Sequence, residues 1–199
     1  MRYVAAWLVS CALGCASGAS IAPQAGNTLL TVVFQFDGPY TEKAFVEMKH
    51  EVGSILKDSG IQLDWRARNL VSSSESFANL VVVKFRGVCR MDSHDHRDQD
   101  PGPLAFTHTS QGVVLPFSEV ACNRVRSSLR RVMSGGDYTR SDVIFGRALA
   151  RVLAHELYHV MARTESHAAK GIAQRALSGS ELMGDQLELS EDELNSMHR

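Results

Sequence analysis

Apolar residues recur at three- and four-residue intervals through residues 141–161, at Ile144, Phe145, Ala148, Leu149, Val152, Leu153, Leu157 and Val160. This spacing, close to 3.6, predicts one long helix. Thr139 with Asp142 three residues on offers a capping box for its start, and Ser141 is an alternative cap. Earlier in the chain the pattern alternates between two periods. Residues 28–36 are β-branched and aromatic and end at Asp37-Gly38-Pro39, a strand and its turn. Residues 41–57 place Ala44, Phe45, Met48, Val52, Ile55 and Leu56 on one helical face, and Gly60 ends that run. Residues 61–66 alternate apolar with polar, as a half-buried strand does, and Leu80-Val81-Val82-Val83-Lys84-Phe85 reads as a strand buried on both faces. Strand, helix, strand, strand ahead of the long helix predicts a layered arrangement of sheet and helices. Residues 104–109 and 113–117 read as two short strands around Ser110-Gln111-Gly112, and residues 119–133 as a helix. Residues 162–180 show little periodicity and predict an irregular loop, and Ser190 with Glu193 caps a short helix beyond it.

The long helix carries His155-Glu156-Leu157-Tyr158-His159. Residues four apart lie one above the other on a helix, so His155 and His159 can present two imidazole nitrogens to one ion, and zinc is the metal that suits them. Glu156 cannot easily reach the same ion but can hydrogen-bond a water beside it, which is the arrangement of a hydrolytic site. In a 199-residue chain with eight histidines the bare pattern arises by chance roughly one time in a hundred. The alternative is therefore two histidines that fall four apart on an ordinary core helix. Tyr158 faces away from the metal side by about 60° or more on an ideal helix and reads as core.

His155-Glu156-Leu157-Tyr158-His159 resembles the active-site helix of the zincin metallopeptidases. The order of elements ahead of it is similar to the amino-terminal half of the metzincin group, and Ser180-Glu181-Leu182-Met183-Gly184 resembles that group's methionine turn. The resemblance implies an α+β zincin-like domain: a small mixed sheet, a backing helix and an HExxH active-site helix. It implies a substrate-holding edge in the two short strands at residues 104–109 and 113–117, because an extended peptide can add to an exposed strand. It also implies a zinc-activated water with Glu156 as general base. The metzincin motif continues HExxHxxGxxH, whereas here Ala162 stands at the glycine position and Glu165 at the last histidine position, with His167 two residues later. Three residues compete for the third ligand. His167 gives a neutral three-histidine set and needs a longer loop, which removes the demand for a glycine-like turn. Glu165 stands in the expected register, and Glu181 with Asp185 resembles the glutamate and supporting aspartate of thermolysin-like zincins. The expected set is His155, His159 and His167.

Export alters how the remaining chain is read. Arg2, the apolar run from Tyr3 to Leu13 and the small residues that follow predict a signal peptide over residues 1–19, with cleavage after Ala22 as an alternative. Leu8-Val9-Ser10-Cys11, and a poorer version before Cys15, resemble a lipoprotein cleavage box, so an acyl anchor through Cys11 or Cys15 is a second outcome. Residues 27–199 are expected to form a single domain, long enough for a real core. Cys89 and Cys122, an even pair in an exported protein, read as a disulfide worth roughly 3 to 4 kcal/mol by chain entropy; a thiolate zinc site lacks the close spacing. The formal net charge of −1 gives no reason to expect a nucleic-acid partner, and nothing downstream supplies a transmembrane segment. Arg124, Arg126, Arg130 and Arg131 read as a solvated basic face, and His94 and His96 as part of a solvated polar loop, with a second ion there as the alternative. The expected function is an exported, monomeric zinc endopeptidase acting on protein or peptide substrates. The alternative is a catalytically inactive zincin-like exported binding or scaffold protein.

Overall fold

The computed structural model describes residues 28–91, 101–184 and 187–198. The expected signal peptide, Cys11, Cys15, His94, His96 and Asp185 lie outside the described residues. Five strands, β1 (Thr28–Phe36), β2 (Ile61–Ala67), β3 (Leu80–Arg86), β4 (Ala105–Ser110) and β5 (Val113–Ala121), form one mixed sheet in the order β2-β1-β3-β5-β4. All neighbours are parallel except β4, which runs antiparallel to β5 and forms one edge. The helices are α1 (Glu42–Ile55), α2 (Cys122–Arg130), α3 (Ser141–Ala162), α4 (Gly179–Met183) and α5 (Glu191–Met197). The expected α+β class, a small mixed sheet with a backing helix and the HExxH helix, is what the chain adopts.

Register places Leu30, Val32, Val81, Val83, Phe85, Ser118 and Val120 on one face of the sheet, and these residues pack against Phe45, Met48 and Val52 of α1 and the apolar stripe of α3. The other face of β3 is only half-buried and carries ions, so the expectation of a strand buried on both faces fails. Lys84 and Arg86 pair with Asp37 there (3.4 and 3.1 Å), and Arg86 also reaches Glu119 (3.4 Å). β5 runs on to Ala121, so α2 starts later than residue 119: Val120 fills an inward strand position, and helical geometry begins only at Cys122. Cys122 is bonded to Cys89 as expected. Arg126 corrects the solvated basic face, being fully buried, with Nη1 donating to the Val88 carbonyl.

The capping expected for the long helix also differs. Ser134 and Asp137 form the capping box, for a 3-10 turn over Gly135–Arg140 that feeds directly into α3. Thr139 donates to the Gly136 carbonyl, and Asp142 instead accepts from Thr41 at the start of α1. α1 and α3 are laced together by Arg147 with Glu47 (2.9 Å) and by Arg151 with Glu51 (3.0 Å). Arg151 has no exposed surface, and its Nη1 donates to the Glu181 and Leu182 carbonyls, so it ties α4 to the same pair. Gly146 lets the two helices approach: a Cβ there would stand 2.5 Å from the Ala44 carbonyl oxygen. Gly146→Ala is therefore expected to cost about 1–3 kcal/mol. Gly53→Ala, where nothing lies within 4 Å, should gain about 0.5–1 kcal/mol from helix propensity. Urea midpoints of the two variants check the contrast.

Candidate metal centre

The second half of α3 presents His155 and His159 toward edge strand β4, and the chain then has to turn back to bring a third group near. α3 continues through Ala162 and ends at Arg163, which takes the left-handed conformation (φ 50°, ψ 42°) that the metzincin pattern gives to glycine. The turn thus falls one residue later than that pattern. Both the Arg163 and Thr164 N–H groups donate to the His159 carbonyl. The Thr164 carbonyl in turn accepts from His159 Nδ1 (2.7 Å), so the turn itself fixes the ring. His155 is fixed in the same way, Nδ1 donating to the Ile172 carbonyl (2.8 Å). Ile172 is held in turn by a hydrogen bond next to it: Glu193 of α5, almost fully buried, accepts the Ala173 N–H on one carboxylate oxygen and the Ser190 N–H on the other.

Because a carbonyl can only accept, each Nδ1 carries its ring's proton and each Nε2 presents a lone pair. The two Nε2 atoms face each other at 3.0 Å. Burial holds both rings neutral: His155 is pushed down to about 4, mainly by desolvation, and His159 is lowered for the same reason. Two lone pairs in opposition, one on the half-buried His155 and one on the buried His159, each with its ring oriented by a carbonyl, form a donor set that a cation satisfies. His167 joins them, with one ligand atom from each of the three histidines lying within 4.8 Å of the others. Nitrogens of a tetrahedral zinc site sit about 3.3 Å apart for bonds of about 2.0–2.1 Å, so these residues fit zinc with small adjustments.

Glu165 and Glu181 are not part of this cluster among the described residues. Glu165 lines the cleft beside His159. Glu181 is turned elsewhere, accepting from Ser178 N–H and from the Gln174 amide (both 2.7 Å), which holds its carboxyl below the usual range. The segment compared with a methionine turn is the short helix α4, started by the Ser178–Glu181 capping box. Tyr158 is buried, as expected.

Glu156 is 4% exposed, and its Oε2 accepts a hydrogen bond from the Thr107 hydroxyl of β4 (2.7 Å). Thr107 is itself paired with the Ser118 hydroxyl of β5 (2.9 Å). Burial raises the Glu156 carboxyl to about 7, with the Thr107 hydrogen bond opposing. A carboxyl poised near neutrality and oriented by a hydroxyl is suited to moving protons. Sequence reasoning missed Thr107 and Ser118; Ser118, a polar residue at an inward position of the mainly apolar β5, is the signal that could have been found, whereas β4 is too polar for Thr107 to stand out. The β4–β5 pairing shifts register between Thr107 and Thr109, an irregularity of the kind that re-aims side chains next to sites.

A cleft runs along β4 in two lobes of about 230 and 240 Å³, both reaching His155 and Glu156. No family model matches the chain, and no curated protein matches it in sequence. Among solved structures, the archaemetzincin of Methanopyrus kandleri is similar, with a TM-score of 0.49 at 9% identity over 89% of this chain and 97% of that one.

Proposed function

We propose that the protein is an exported zinc-dependent peptidase in which His155, His159 and His167 hold the ion and Glu156 is the general base. The observation that carries this reading is the opposed pair of Nε2 lone pairs with Glu156 buried beside them. Zinc in such a set supplies a Lewis acid that polarises a carbonyl and brings the pKa of water to about 7. The chain's own residues do the rest. Glu156 takes a proton from the attacking water and returns it to the departing amine, while Thr107 keeps the carboxylate aimed. β4, as the sheet edge beside the cleft, offers main-chain groups along which an extended peptide can lie. The Cys89–Cys122 disulfide supports an oxidising destination, and no helix among the described residues is long and apolar enough to cross a membrane.

The test is metal analysis of the purified protein together with hydrolysis of an unfolded substrate such as casein. About one zinc per chain and zinc-dependent cleavage are expected. Protein that takes up no zinc when refolded with zinc available would end this reading, and zinc without cleavage would leave the binding or scaffold alternative.

A further inference from the structure

One cationic side chain borders both lobes of the cleft. Arg175 lines the lobe formed with Leu104, Val152 and Leu177, and also the lobe that contains His167 and Glu165. It is exposed, and among the described residues no carboxylate pairs with it. Of the acids nearby, Glu156 accepts from Thr107 and Glu181 from Ser178 and Gln174, while Glu165 lines one lobe together with Arg175. The two lobes therefore differ in charge. Glu165 lines one together with Arg175, whereas the other has apolar walls, His155, the Gln174 side chain and the guanidinium, and among the described residues its only carboxylate is that of Glu156. At about 230 Å³ this lobe is smaller than the roughly 300–1,000 Å³ that accommodates a drug-sized ligand, so it has room for a single residue of a longer chain. Its walls suit an apolar stem, and its cation suits an anionic end, since a guanidinium matches the planar fork of a carboxylate.

We infer that Arg175 selects peptides carrying a carboxylate on the residue lodged in this lobe, next to the bond that is cut. The carboxylate is either an acidic side chain or the peptide's own carboxy-terminal group. This inference rests on the peptidase reading and specifies its substrate class. It is tested with the whole, zinc-loaded protein on amidated peptides bearing Glu, Gln or Lys in turn on either side of the cleaved bond, and on a Gln peptide ending there in a free carboxylate. kcat/KM is measured for each, and dissociation constants are measured by fluorescence anisotropy with the Glu156→Gln protein.

A carboxylate peptide is expected to be favoured about tenfold over its Gln partner in both readouts, as suits a charged pair at a partly exposed site. Whether the Glu peptide or the free-terminus peptide shows the preference identifies the source of the carboxylate. The ratio should fall to about one in Arg175→Gln and turn toward Lys peptides in Arg175→Glu. A ratio near one in the unaltered protein, or one that survives Arg175→Gln, overturns the inference. Binding preference without any hydrolysis would keep the role of Arg175 and defeat the peptidase reading; hydrolysis without preference would do the reverse.

Discussion

Glu156→Gln is expected to lower peptide hydrolysis by about 10²–10⁴-fold, the range that general acid–base groups contribute, while zinc content stays at one per chain. The substitution keeps the shape of the side chain and an acceptor for the Thr107 hydroxyl, and removes only the capacity to take a proton. The same variant should carry a second signature in the metal-free protein. Burial raises the Glu156 carboxyl from 4.5 to about 7, so the folded state holds this group's proton more tightly than the unfolded chain does. Its stability contribution is complete below about pH 4.5 and is lost as pH rises through 7. At pH 8 the folded protein carries a buried carboxylate that Gln would replace with a neutral amide. Metal-free Glu156→Gln should therefore be more stable than the unaltered protein at pH 8, by up to about 3 kcal/mol, with the gain gone at pH 4.5. Urea titrations at the two pH values measure this, and kcat/KM measures the loss of activity. Undiminished cleavage would show that Glu156 is not the base.

His155→Ala and His159→Ala are each expected to abolish zinc binding, and His167→Ala to weaken it by orders of magnitude, whereas Glu165→Ala and Glu181→Ala should bind as the unaltered protein does. Zinc present at a thousand times its dissociation constant stabilises a folded protein by about 4 kcal/mol, so the histidine variants should lose a thermal shift of that origin. Metal titration with thermal unfolding reads both quantities. Tight binding by His167→Ala combined with loss in Glu181→Ala would exclude the three-histidine set and make Glu181 the third ligand.

The long helix was legible because its apolar spacing runs unbroken into the motif, and β1, α1, β2 and β3 were legible because each is bounded by a turn signal such as Asp37-Gly38-Pro39 or Gly60. Boundaries set by tertiary contacts were not. Residues 119–121 carry no helix-breaking residue, and they are kept extended by pairing with β3 and β4 and by the inward seat of Val120. Arg126 looked like surface because two of its acceptors, the Val88 and Arg90 carbonyls, belong to a distant loop and leave no trace in local sequence. The route to His167 turned on a backbone angle. Ala162 suggested that the sharp metzincin turn was unavailable, and the helix does run through it, but no sequence rule marks an arginine as the residue that goes left-handed one step later. The orientation of Glu156 was hidden for a related reason, since Thr107 and Ser118 reach it only through strand pairing.

Seven-residue α5 resembles a tail that could be trimmed to improve expression or replaced by an affinity tag. The buried carboxylate of Glu193 argues against doing so. Without it the Ala173 N–H loses its acceptor and the adjoining Ile172 carbonyl is no longer held where His155 Nδ1 meets it. An imidazole released from that carbonyl can move its proton to Nε2, the nitrogen now turned toward His159. A shortened protein could then fold, remain in solution and still load metal poorly, for a reason almost forty residues away from the histidine that fails. A low zinc content in a trimmed protein would therefore report on the trimming before it reported on the ligands.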